Sequence, residues 1–231
     1  MDGNIKTIVI ALLGGLIPAL LWLWFWLKED KERPEPRGLI ITTFLIGMAS
    51  VMLVLPLEEM ARRYISSGPV LTIVWAAIEE IIKLFVVFII ALRTAYVDEP
   101  VDFAIYLITG ALGFAALENA LFLMHPLQLN ETTVSLLTGN LRFLGATLLH
   151  AVSSGFIGIF MGLAFFSGKT KKSLYLFIGL LTAVVLHSLF NFFIIGNNGE
   201  NFFAVFGFLW VVSIISVLLF EKLRRLGDQT V

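Results

Sequence analysis

The sequence predicts an all-α fold, a polytopic membrane helix bundle of about seven transmembrane helices, and three observations carry that prediction. Of 231 residues, 58% are hydrophobic and 14% charged, with mean hydropathy +0.94; soluble domains lie nearer half apolar and about a quarter charged. Seven apolar stretches are long enough to cross a bilayer, which takes about 20 residues of helix. Lysine and arginine collect in the connections on one side of those stretches, as they do in the cytoplasmic loops of membrane proteins.

The first span is 7–27, too long for a signal-peptide core and without a small-residue cleavage site, so it reads as a retained helix. The connector "KEDKERPEPR" follows, stiffened by Pro34 and Pro36 and most simply solvated. The second span, 38–57, leads into "LEEMARR", where Glu58 is four residues from Arg62 and Glu59 four from Arg63, the spacing of a short exposed helix. Span three, 70–92, holds "IEEIIK", and span four, 103–124, ends at His125-Pro126, an interfacial pair. In span five, 141–166, His150, Ser154, Gly158 and Gly162 form one stripe, with Ser154 and the glycines read as packing and His150 turned inward. Spans six and seven are 174–195 and 202–220. The Asn130-Glu131-Thr132 sequon reads as chance. With no repeat and no soluble segment, residues 1–231 read as a single integral-membrane domain.

Lys28, Lys31, Arg33, Arg37, Arg93, Lys169, Lys171, Lys172, Lys222, Arg224 and Arg225 fall on one side, against Lys6, Arg62, Arg63 and Arg142 on the other. That bias predicts the N-terminus outside and the C-terminus in the cytoplasm. A net charge of -1 argues against nucleic acid as a partner. The absence of cysteine excludes disulfides, a thiol nucleophile and a thiolate metal site.

Few ionisable residues lie inside the spans: Glu79, Glu80 and Lys83 in the third, Glu118 in the fourth, His150 in the fifth and His187 in the sixth, joined by Asn119 and Asn191. A mid-membrane charge costs roughly 2.5–3.5 kcal/mol, so these residues belong to the bundle interior or a wet cavity. Under the predicted topology Glu79, Glu118, His150 and His187 occupy one thin layer, roughly 9–14 Å below the outer surface. Four helices contribute to that layer, which predicts one shared site. Lys83 is four residues from Glu79 and three from Glu80, within pairing reach of both, and Asn191 shares a helix face with His187. A single buried Glu–Lys pair could serve helix register alone; the second adjacent carboxylate points to function.

The chain has no His-Glu-x-x-His helix, no Gly-x-Ser-Gly and no pair of membrane aspartates. Two mechanisms can use the set that is present. In one, a glutamate activates water as general base while a histidine and Asn191 stabilise the oxyanion and help protonate the leaving amine. In the other, His150, His187 and a glutamate bind Zn²⁺ with one position open, and another glutamate is the base. Spacing does not choose between them.

These residues resemble the PrsW-type intramembrane proteases. "IEEIIK" resembles that family's Glu-Glu-x-x-Lys motif, "FAALEN" its Phe-x-x-x-Glu-Asn motif, "LLHAVSSGFIG" its third motif and "HSLFN" its His-x-x-x-Asn motif, all in order. "EPRGLIITTFLIG" and "DEPVDFAIYLITGALGFAALEN" are also similar to the family. The resemblance implies a superfamily shared with CAAX-prenyl endopeptidases and a non-catalytic γ-secretase subunit. It implies site-1 cleavage of a membrane-anchored, anti-sigma-factor-like protein in a bacterial or archaeal plasma membrane. Carried over by position, Glu79, Glu80, Glu118, His150, His187 and Asn191 are the candidate catalytic residues, with Lys83 and Asn119 supporting. If a metal is used, His150, His187 and Glu118 are its expected ligands. The alternative is a non-catalytic scaffold or an ion-coupled transporter bundle, which would have no need of both Glu79 and Glu80.

Overall fold

A computed structural model describes residues 2–29, 33–129, 145–196 and 202–228. Those residues form seven helices and no strand: α1 (Asp2–Glu29), α2 (Arg37–Tyr64), α3 (Pro69–Val87, continued by a π-helical turn, Phe88–Leu92), α4 (Asp102–Gln128), α5 (Thr147–Leu163), α6 (Lys169–Gly196) and α7 (Phe202–Asp228). The all-α membrane bundle expected from the sequence is what the chain forms. Five helices, α1, α2, α4, α6 and α7, are long and apolar enough to cross a membrane on their own. The other two differ for identifiable reasons. Glu79, Glu80 and Lys83 interrupt the apolar run of α3, and α5 spans only 17 described residues. Residues 141–144, Arg142 and the sequon at Asn130 lie outside the described residues.

Two expectations about connections are corrected. "LEEMARR" is not a separate helix: α2 runs unbroken through Pro56 to Tyr64. It ends where Ile65 turns extended, and Gly68, at φ 140°, supplies a backbone conformation open to glycine before Pro69 starts α3. The connector after α1 is also not free in solvent. Arg33 pairs with Glu99 at 2.5 Å, and Glu35 accepts the hydroxyl hydrogen of Tyr106. Asp102 steadies the same end by accepting the backbone N–H groups of Asp98 at 2.9 Å and Glu99 at 2.7 Å.

Helix α4 is the centre of the bundle, flanked by α1, α2 and α5, with α6 and α7 against α5, and α3 bridging α2 and α6. Its inner turns, Ala104 to Ala116, are buried all round, which explains why it lacks a polar face. Small residues make this possible. A Cβ on Gly113 would stand 2.0 Å from the Phe44 carbonyl oxygen, and one on Gly47 would stand 2.1 Å from that of Gly110. Only backbones without side chains approach this closely, so α2 and α4 cross at glycine. Gly158 does the same for α5 on α4, where a Cβ would meet Ala104 Cα at 2.4 Å. These crossings hold Glu118 on α4 opposite His150 on α5 and Glu58 on α2.

Candidate metal centre

Glu79, Glu80 and Lys83 project inward from α3, with Lys83 four residues from Glu79 and three from Glu80. The Lys83 ammonium donates to Glu79 Oε2 at 3.1 Å and Glu80 Oε1 at 3.0 Å, with no exposed side-chain surface. Lys83 Nζ also lies 2.8 Å from His150 Nδ1 and 4.2 Å above the Phe114 ring. An ammonium group is donor only, so His150 Nδ1 accepts and the ring proton sits on Nε2. That nitrogen donates to Glu118 Oε2 at 2.9 Å.

His187, from α6, is fixed in the opposite sense. Its Nδ1 is 2.9 Å from Glu80 Oε1; a carboxylate accepts, so Nδ1 carries the proton and Nε2 presents a lone pair. Glu80 is wholly buried, and its other oxygen accepts the Ser154 hydroxyl at 2.6 Å. Ser154 is therefore more than packing. The sequence stripe placed it on the right face of α5 but could not show a carboxylate opposite.

The two imidazoles meet edge to face, with centroids 5.0 Å apart, and turn their lone-pair nitrogens toward Glu79. His150 Nδ1 is 3.8 Å from Glu79 Oε2, and His187 Nε2 is 3.9 Å from Glu79 Oε1. Glu79, His150 and His187 thus form a group able to hold a metal ion, all three buried. The expected donor set had Glu118 as its carboxylate; the group brought together has Glu79. Glu118 instead accepts from the outer nitrogen of His150, on the far side of the ring.

A cavity of about 330 Å³ opens onto this group. Glu79, Glu118, His150, His187 and Asn191 line its polar end, and Val54, Phe114, Leu149 and Phe190 line its apolar wall. Asn119 lies elsewhere: its Nδ2 donates to Thr147 Oγ1 at 2.9 Å, tying α4 to the start of α5. The residue that sequence reading missed is Glu58. Its expected partner, Arg62, pairs with Glu59 at 2.5 Å, and so does Arg63 at 3.4 Å. Glu58 faces the cavity beside Glu79 and Glu118, and the Trp75 indole N–H donates to its carbonyl at 3.1 Å. Spacing of four on a surface helix looks like an exposed ion pair, and only the path of α2 past the site reveals otherwise.

Comparison with known proteins gives the family. The family model described as PrsW family intramembrane metalloprotease matches residues 35–219, most of the chain. A relative named Protease PrsW from Halalkalibacterium halodurans is 27% identical, covering 93% of this chain and 98% of its own. Others of that name come from Geobacillus kaustophilus, 27% identical over 82% of this chain and 81% of its own, and Bacillus subtilis, 23% identical over 85% and 88%. No solved structure matches the chain. A buried Glu–His–His group, apolar spanning helices and a family match over most of the sequence lead to one conclusion: the chain is a membrane-embedded protease and belongs to the PrsW family of intramembrane metalloproteases.

Proposed function

We propose that this chain hydrolyses a peptide bond of a membrane-anchored protein at a zinc centre held by Glu79, His150 and His187. The observation that carries the reading is the pairing of each histidine. Both turn one nitrogen toward Glu79 and give the other to a carboxylate, Glu118 for His150 and Glu80 for His187. Metal-bound histidines are held in this way by outer carboxylates. One donor atom from each of the three residues lies within 4.8 Å of the others; ligand atoms of a tetrahedral zinc stand about 3.3 Å apart, given bonds of roughly 2.0–2.1 Å, so the three side chains would draw together around the ion. Two imidazoles and one carboxylate leave a coordination position open, the donor set of a catalytic rather than a structural site. A zinc ion there supplies Lewis-acid polarisation of the scissile carbonyl and a more acidic water.

The remaining steps belong to side chains. Glu118, at the cavity wall beside His150, takes the proton of the attacking water and passes it to the leaving amine as the C–N bond breaks. Asn191, one helical turn beyond His187 and lining the same cavity, donates to the oxyanion. Glu80 stays behind the site and fixes His187. Phe114, Leu149 and Phe190 keep bulk water from an apolar substrate segment. The whole chain acts as one unit, N-terminus outside and C-terminus cytoplasmic, in a bacterial plasma membrane. With that orientation the site lies toward the outer face and suits site-1 cleavage of a single-pass, anti-sigma-factor-like protein near its outer boundary.

The test is cleavage of a tagged single-pass substrate by purified protein in detergent, with zinc assayed in the same samples. Activity and zinc lost together in a folded His187→Ala variant support the reading. Full activity in metal-free protein overturns it and selects the bare glutamate mechanism.

A further inference from the structure

The atoms that face the proposed metal position already hold a cation. Lys83 Nζ is 3.1 Å from Glu79 Oε2 and 2.8 Å from His150 Nδ1, two of the donor atoms assigned to the metal above. An ammonium group and a metal ion cannot share them: His150 Nδ1 has one lone pair, and two cations bound to one carboxylate oxygen repel at contact distance. We infer that Lys83 is a resident counter-cation that keeps the metal position filled until the metal displaces it.

Two features support exchange rather than a fixed ion pair. The ammonium has other partners to retain when it leaves Glu79 and His150, namely Glu80 Oε1 at 3.0 Å and the Phe114 ring face at 4.2 Å. A lysine ammonium rides on a flexible four-carbon stem, so a small swing releases both donor atoms. The alternative ligand set, with Glu118 and His150 Nε2, would leave Lys83 in place, and the two sets therefore predict opposite effects of removing it. The consequence for the fold is specific. Metal-dependent domains commonly unfold when stripped because their ligands repel or lose their partners; here the Lys83 ammonium pairs with both Glu79 and Glu80 and offsets part of the negative charge of the stripped site, so the metal-free protein stays folded.

The inference rests on the zinc reading above, and one experiment separates the two. Zinc affinity is measured by competition with a fluorescent chelator for the detergent-purified wild type, Lys83→Met and Lys83→Arg, alongside thermal unfolding with and without zinc. Lys83→Met should bind zinc at least 10-fold more tightly than wild type, and its melting temperature should depend on zinc far more steeply. Lys83→Arg, which keeps the charge, should bind no more tightly. Zinc bound by wild type but no more tightly by Lys83→Met overturns the inference and leaves the zinc centre standing. No zinc bound by any form, with cleavage intact, overturns both. Should Lys83→Met fail to fold, wild-type structures with and without zinc decide: Lys83 Nζ withdrawn from Glu79 and His150 supports the exchange, and Nζ still within hydrogen-bond reach of both refutes it.

Discussion

Replacing Glu80 by glutamine isolates a single quantity, the charge of a wholly buried carboxylate. Glu80 Oε1 accepts from Lys83 at 3.0 Å and His187 at 2.9 Å, and Oε2 accepts from Ser154 at 2.6 Å. A glutamine with its oxygen at the first position keeps both donors. Its amide nitrogen takes the second position, where the Ser154 hydroxyl can turn to accept. No contact need be lost, but the hydrogen bonds that were charge-assisted become neutral, at roughly half the strength. Orphaning a buried ion by removing its only partner costs about 3–5 kcal/mol. Lys83 retains Glu79, so Glu80→Gln should cost less, about 2–3 kcal/mol. For a chain of this size that lowers Tm by about 4–12 °C, readable by thermal unfolding in detergent. Because Glu80 also orients His187, zinc affinity should fall about 10–100-fold, as when other carboxylates behind metal-bound histidines are changed. A Glu80→Gln protein with wild-type Tm and zinc affinity would show that the contacts of this carboxylate neither stabilise the bundle nor position the histidine.

Other outcomes follow from the same geometry. Ser154→Ala removes the hydroxyl donor to Glu80 and should cost about 1–3 kcal/mol, measured as a lower unfolding midpoint. Gly113→Ala places a methyl 2.0 Å from the Phe44 carbonyl oxygen and must push α2 from α4, costing about 1–3 kcal/mol and widening the cavity; a cysteine cross-link across that helix pair would report the shift. Glu118→Gln should leave Tm little changed, since the side chain borders the cavity, while cleavage of a membrane-anchored reporter falls on the order of 10²–10⁴-fold. A zinc chelator should stop cleavage, zinc should restore it, and circular dichroism should show the helices intact throughout.

The candidate site was legible because lipid tolerates few charges. Glu79, Glu80, Lys83, Glu118, His150 and His187 stand out against an apolar background, and comparing their depths along four helices was enough to predict that they meet. Their division of labour was not legible. Adjacent glutamates differ by about 100° around a helix, and only the positions of α5 and α6 decide that Glu80 faces Ser154 and His187 while Glu79 borders the cavity. The same holds for the third donor: sequence places Glu79 and Glu118 in one layer but not on opposite sides of His150. Glu58 escaped notice because its spacing to Arg62 imitates a surface ion pair, whereas Glu59 takes both arginines. Glu35 escaped because a charged, proline-stiffened connector reads as solvated, and its partner Tyr106 lies 71 residues away. Span boundaries were read short where helices extend past the apolar core, as in α2 and α7.

The central claim is that Glu79, His150 and His187 together hold one metal ion, and zinc-edge X-ray absorption on the purified protein tests it most directly. The account predicts one zinc per chain in the wild type, with two imidazole ligands and the remaining ligands oxygen, and loss of that signal in folded Glu79→Gln and His187→Ala variants, while Glu118→Gln, which changes only an outer carboxylate, keeps it at saturating zinc with about 10–100-fold weaker affinity. A zinc signal lost in Glu118→Gln but kept in Glu79→Gln, or a fully active wild type with no bound metal, would contradict it.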